Sequence, residues 1–163
     1  MDQEELLNKL AQIEEQASYT LAEFPKSLTK DANVAVPVTM ADVQPKRPTI
    51  LVVDDEESMR ALLKLHLHHG GYDVLVAEDA IVAGYLVLRD APDLIIVDVQ
   101  MPYMNGYEFV AALKSDPTTR HIPVVFLTID DHVAEHARKL GASAYLNKPV
   151  TADRLLQVVA LFA

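Results

Sequence analysis

The chain has 163 residues, with 14 Lys plus Arg against 24 Asp plus Glu, and neither Cys nor Trp. That length holds one domain, or one domain with an appendage, and a chain near this size can bury about 68–70% of its unfolded surface. Without Cys, a disulfide scaffold, a thiol nucleophile and Cys-ligated zinc or iron–sulfur clusters are excluded, and the net charge of −10 argues against nucleic-acid binding by the chain alone. No apolar run approaches the roughly 18–20 residues that span a bilayer, so no membrane insertion is expected. The acidic start, Met1-Asp2-Gln3-Glu4-Glu5, lacks the basic character of an export signal, and a cytoplasmic location is expected.

Residues 1–30 carry a helical pattern: Leu6, Leu10, Ile13 and Ala17 are spaced four, three and four apart, and Leu21 and Phe24 extend the stripe to Pro25. An isolated helix of this length is marginal in water, so this N-terminal helical extension is expected to dock on its own domain, a twin chain or a partner. Residues 31–48 hold Pro37, Pro45 and Pro48 with no amphipathic period and are expected to form an extended linker.

From Thr49 onward apolar runs alternate with amphipathic segments. Ile50-Leu51-Val52-Val53, Leu94-Ile95-Ile96-Val97 and Val124-Val125-Phe126-Leu127 are wholly apolar, as strands of a parallel sheet covered on both faces are. Val74-Leu75-Val76 and Ala144-Tyr145-Leu146 make five. Between and after them, helices are expected over Glu57–His69, Asp79–Arg89, Gly106–Lys114, Asp131–Leu140 and Ala152–Phe162. Gly70-Gly71 and Gly141 are stop signals, and Thr151 is placed to cap the last helix. Five β-α units predict an α/β fold, a doubly wound five-stranded parallel sheet over residues 49–163.

Polar residues punctuate these runs at one end. Asp54 and Asp55 follow the first strand, Asp98 the third, Thr128 the fourth and Lys148 the fifth. All five sit at the carboxyl ends of strands, where open α/β sheets bind ligands. In the order 2-1-3-4-5, strands one and three are neighbours and the three carboxylates share a crevice. Three close carboxylates raise one another's proton affinity unless a cation intervenes. An oxygen-only set suits Mg²⁺ or Mn²⁺ over zinc. With Thr128 and Lys148 on the far side, this is equipment for in-line phosphoryl transfer, in which a carboxylate can be the nucleophile. Any one strand-end Asp is more often only a helix cap; five such residues at one edge are poorly explained by capping.

Residues 49–163 resemble the receiver domain of two-component response regulators. Asp54-Asp55-Glu56 after the first strand resembles that family's acidic pair, Asp98-Val99-Gln100-Met101-Pro102-Tyr103-Met104-Asn105-Gly106 its phosphorylation loop, and Lys148-Pro149 its end motif. The resemblance implies a flavodoxin-like sheet of order 2-1-3-4-5, with Asp98 as phosphoacceptor. It implies Mg²⁺ (or Mn²⁺) held by Asp54, Asp55, Asp98 and the backbone carbonyl of Gln100, and Lys148 on the phosphoryl group. It also implies a cis peptide before Pro149, Thr128 and Tyr145 as switch residues, and Gln100 and Asp130 as residues that tune dephosphorylation. The implied partners are a sensor histidine kinase or phosphotransfer protein and, through the face of the fourth helix, fifth strand and fifth helix, a downstream target or a second copy.

Ile129 departs from the small residue usual after the threonine, and its bulk would crowd Thr128 or shield the phosphoryl group. His132 and His136, four apart, are a weaker metal-pair candidate. In the last helix Leu155, Leu156, Val158, Val159, Leu161 and Phe162 cover an arc wider than one core-facing stripe, so an additional cover is expected. Two other functions compete with a phosphorylation switch that is not itself an enzyme. A haloacid-dehalogenase-type phosphohydrolase needs an Asp-x-Asp that Asp54-Asp55-Glu56 does not supply, and a cap domain is not expected. A phosphorylation-independent adaptor finds support only in Ile129. Because the sequence stops with the fifth helix, no C-terminal output domain is expected.

Overall fold

The computed structural model describes residues 45–130 and 132–163. The helical extension expected at 1–30 and most of the linker expected at 31–48 lie outside the described residues. The elements run β1 (Thr49–Val53), α1 (Glu57–His69), β2 (Asp73–Ala77), α2 (Ala80–Asp90), β3 (Leu94–Asp98), α3 (Gly106–Ser115), β4 (Val124–Thr128), α4 (Val133–Lys139), β5 (Ala144–Asn147) and α5 (Ala152–Phe162). All five strands are parallel, in the order β2-β1-β3-β4-β5. The doubly wound, flavodoxin-like α/β sheet expected from the sequence is what the chain forms.

The apolar runs work because each strand feeds two cores. On one face Leu51, Val53, Ile95, Val97, Val124 and Phe126 pack against α2, α3 and α4. On the other, Ile50, Val52, Leu94, Ile96, Val125 and Leu127 pack against Leu63 and Leu67 of α1 and Leu155 and Val159 of α5. Alternation along a strand sends successive residues to opposite faces, so a strand covered on both must be apolar throughout.

The stop and cap signals function as expected. Gly70 ends α1, Gly141 takes a positive φ of 77° just after α4, and Thr151 Oγ1 accepts the N–H of Arg154 at 3.3 Å. Asp79 lies one residue outside α2 and caps it, accepting the N–H groups of Ile81 and Val82 at 2.9 and 2.8 Å. On α5, Leu155 and Val159 are buried and Leu156, Val158 and Phe162 pack partly against the same core, leaving Leu161 74% exposed. Part of the expected cover is thus α1.

Two glycines mark close approaches. A Cβ at Gly106 would strike the backbone carbonyl of Asp98, whereas a Cβ at Gly70 would meet the end of the Leu156 side chain. Backbone cannot yield as a leucine methyl can. Gly106→Ala should therefore cost about 1–3 kcal/mol, as overpacking does, while Gly70→Ala stays within about 1 kcal/mol; urea unfolding of the two variants checks this. Equal losses would contradict the assignment.

Candidate functional site

The crevice is assembled by backbone first. Asp54 leaves β1 with its N–H donating to the Ala77 carbonyl of β2 at 3.1 Å. Its Oδ1 accepts the N–H of Glu56 at 2.9 Å, and Arg60 Nη1 donates to its backbone carbonyl at 2.8 Å. Asp98 closes β3, and its Oδ1 accepts the N–H of Gln100 at 3.2 Å. Thr128 closes β4, and its carbonyl accepts the N–H of Lys148 at 2.8 Å. Asp98 and Thr128 are thus the last residues of their strands, one position earlier than expected. The Lys148–Pro149 peptide is cis, as the resemblance implied.

These placements bring four charged groups together. Carboxylate oxygens of Asp54, Asp55 and Asp98 lie within 4.8 Å of one another. Lys148 Nζ lies 3.0 Å from Asp54 Oδ2 and 3.1 Å from Asp98 Oδ2. Asp54 is fully buried and Asp98 5% exposed, whereas Asp55 opens to solvent. One ammonium among three carboxylates leaves a surplus of two negative charges, all on hard oxygen donors. A small divalent cation, Mg²⁺ or Mn²⁺, matches both the charge and the donor type.

The titration behaviour reflects that imbalance. Burial pushes the Asp98 carboxyl above the usual carboxylate range; Lys148 and the Gln100 N–H oppose this, and the charge of Asp54 adds to it. For Lys148, burial alone would lower the ammonium, but the hydrogen bonds and charges of Asp54 and Asp98 outweigh it and hold the group up.

Thr128 is at the site, but its hydroxyl is engaged elsewhere. It is 2% exposed, and Oγ1 accepts the N–H of Asp130 at 2.9 Å. Tyr145 sits on β5 beside Phe126 in the register and is 38% exposed. Ile129, next to the buried Thr128, is 67% exposed, so most of its side chain faces solvent. Asp130 and Gln100 are both exposed near the rim. His132 caps α4 without a side-chain bond, and the His136 ring stacks on Tyr107 at 4.2 Å between centroids, a packing role rather than a metal pair.

Sequence reasoning missed three supports. Arg60, anchoring the Asp54 backbone, carried no signal. Asn105 and Glu108 form a reciprocal capping box at 2.9 and 3.0 Å that fixes the start of α3, and their spacing is a readable cue. Gly106, whose N–H donates to the Val99 carbonyl at 2.9 Å, presses α3 onto β3.

Asp98 is easier to protonate folded than unfolded. The metal-free fold therefore loses stability as pH rises from about 4 through the raised value of Asp98, and the loss is complete above it. In EDTA, the Tm of Asp98→Asn minus that of wild type should be small near pH 4 and grow toward pH 7. A difference that shrinks with rising pH would refute the assigned charge strain.

A profile of the response regulator receiver domain matches residues 50–160. Response regulator PleD of Caulobacter vibrioides is 46% identical over 103 residues, 62% of this chain and 23% of PleD. Response regulator MprA of Mycobacterium leprae is 39% identical over 109 residues, 66% of this chain and 47% of MprA. The chain thus spans less than half the length of these relatives. Chemotaxis response regulator CheY4 of Vibrio cholerae superposes with a TM-score of 0.68 at 30% identity, covering 72% of this chain and all of that one. The receiver domain of a signal transduction histidine kinase from Syntrophus aciditrophicus gives 0.64 at 34% identity, covering 71% and 89%. With the sheet order, the acidic crevice and the lysine in place, the chain belongs to the response regulator receiver domain family.

Proposed function

We propose that the domain is a signalling switch set by phosphorylation of Asp98. A sensor histidine kinase or phosphotransfer protein presents a phosphohistidine. An Asp98 carboxylate oxygen attacks phosphorus in line, the P–N bond breaks, the imidazole nitrogen leaves with the electron pair, and an aspartyl phosphate forms. The observation that carries this reading is the position of Asp98, buried at the carboxyl edge of the sheet, 3.1 Å from Lys148 and inside the three-carboxylate cluster. Asp54, Asp55, Asp98 and the backbone carbonyl of Gln100 would hold Mg²⁺ or Mn²⁺, which supplies charge stabilisation to the transferring group.

Lys148 keeps Asp54 and exchanges the Asp98 oxygen for a phosphoryl oxygen. Thr128 releases the Asp130 N–H and donates its O–H to the phosphoryl group. Tyr145 then turns inward from its half-exposed place on β5. The face of α4, β5 and α5 changes shape and engages a downstream target or a second copy, with the segment 1–30 a further candidate for assembly. Hydrolysis returns the switch to its ground state, with Gln100 and Asp130 tuning the rate; the only catalysis is the domain's own phosphoryl transfer and dephosphorylation. None of the described helices is long and apolar enough to cross a membrane, and we place the domain in the cytoplasm, acting through proteins rather than nucleic acid. Partner binding that is identical for wild type and Asp98→Asn would instead favour a phosphorylation-independent adaptor.

With acetyl phosphate and Mg²⁺, labelling should reach about one phosphate per chain and be abolished by EDTA or by Asp98→Asn. Asp54→Asn and Asp55→Asn should each weaken Mg²⁺ binding at least about tenfold, measured by calorimetry. Labelling that persists in Asp98→Asn would sink the acceptor assignment, and steady turnover of small phosphate esters would favour a phosphohydrolase. Thr128→Ala should leave labelling largely intact while removing the beryllofluoride-induced shift of Tyr145 resonances.

A further inference from the structure

Among the described residues, one hydrogen bond holds the peptide unit between Asp54 and Asp55, and it comes from α1. The peptides on either side are tied elsewhere. The Asp54 N–H donates to the Ala77 carbonyl at 3.1 Å, and the Glu56 N–H donates to Asp54 Oδ1 at 2.9 Å. Between them, the Asp54 carbonyl accepts Arg60 Nη1 at 2.8 Å. A peptide unit is planar, so this bond sets the tilt of the whole plane. The tilt in turn sets the direction in which the Cα–Cβ bond of Asp55 leaves the chain.

Asp55 depends on that direction more than its neighbours do. Asp54 and Asp98 are buried, and each is bonded to a main-chain N–H and to Lys148. The Asp55 carboxylate is exposed and accepts no hydrogen bond among the described residues, yet one of its oxygens lies within 4.8 Å of oxygens of the other two. Backbone alone aims it. Arg60 makes its bond against the local electrostatics. It is the fourth residue of α1, near the positive end of the helix dipole, where a cation is disfavoured. Glu57 and Glu56 stand three and four residues before it, spacings at which helical ion pairs form. The guanidinium nevertheless makes no ion pair among the described residues and bonds the carbonyl instead.

We propose that Arg60 is a positioning residue that, by holding the Asp54 carbonyl, aims the Asp55 carboxylate into the crevice and so tightens binding of the divalent cation. The inference rests on the metal set proposed for the crevice. It gives Arg60 an effect opposite in sign to that of its own charge, since a guanidinium beside the site repels a metal ion. Position and charge therefore predict opposite results when the side chain is removed. Losing an outer-shell partner commonly costs a metal site about 10–100-fold in affinity. Arg60 belongs at or below the lower end of that range, because its removal also relieves a repulsion.

The full-length chain is titrated with Mn²⁺, and the free ion is followed by electron paramagnetic resonance. Arg60→Met, which loses both charge and donor, should weaken binding about three- to tenfold. Arg60→Lys keeps the charge and a donor and should fall between Arg60→Met and wild type. Charge alone predicts the reverse order, with Arg60→Met tightest. Arg60→Gln, also uncharged, repeats the comparison should Arg60→Met not fold. In an Asp55→Asn background, Arg60→Met should change the affinity by less than about twofold, because the group it aims no longer contributes. Binding by Arg60→Met as tight as wild type or tighter, or a loss as large in Asp55→Asn as in the parent, overturns the positioning role while leaving the metal set intact. A wild type that binds no Mn²⁺ overturns both.

Discussion

A single ammonium shared by two buried carboxylates is the constraint on which this domain turns. Lys148 reaches Asp54 at 3.0 Å and Asp98 at 3.1 Å, and these two residues come from strands that are neighbours only because β1 lies between β2 and β3. Buried charge is tolerable when paired and hydrogen-bonded. Here Asp54 has Lys148 and the Glu56 N–H, while Asp98 has Lys148 and the Gln100 N–H. The third carboxylate, Asp55, faces solvent, where its charge is cheap to keep. The result is a pocket short of positive charge.

That shortage links fold to chemistry. Catalysis of phosphoryl transfer depends mostly on fixed charge and position, and main-chain bonds hold three parts of the pocket: Asp54 through the Ala77 carbonyl, Lys148 through the Thr128 carbonyl, and the loop beyond Asp98 through the Gly106 N–H bonded to Val99. Thr128 is the exception. Its hydroxyl accepts the Asp130 N–H, a bond between residues two apart in the chain. In the proposed switch, Asp98 as acceptor and the Thr128 hydroxyl as the exchanging group would form the two-state element.

Much of this was legible in the residues. Wholly apolar runs such as Ile50–Val53 have one economical use, a strand covered on both faces, and the polar residues ending those runs marked the ligand edge. The strand order was supplied by resemblance rather than by periodicity. What the sequence could not carry was direction and contact. Ile129 reads as bulk beside Thr128, and only the structure shows that its side chain is mostly exposed. His132 and His136 read as a pair until one ring is found stacked on Tyr107. A Cβ at Gly106 would strike backbone whereas one at Gly84 would meet nothing within 4 Å, a difference the residue type alone does not carry. Arg60 bonds to a main-chain carbonyl, and no side-chain pattern encodes that.

The division of each strand between two faces bears on how such a domain can diverge. The layer of α1 and α5 and the layer of α2, α3 and α4 draw on different side chains of the same strands. Changes in well-separated clusters combine nearly additively. Natural drift can therefore remodel one layer, and with it the surface offered to other proteins, while the opposite layer and the acidic rim keep their geometry.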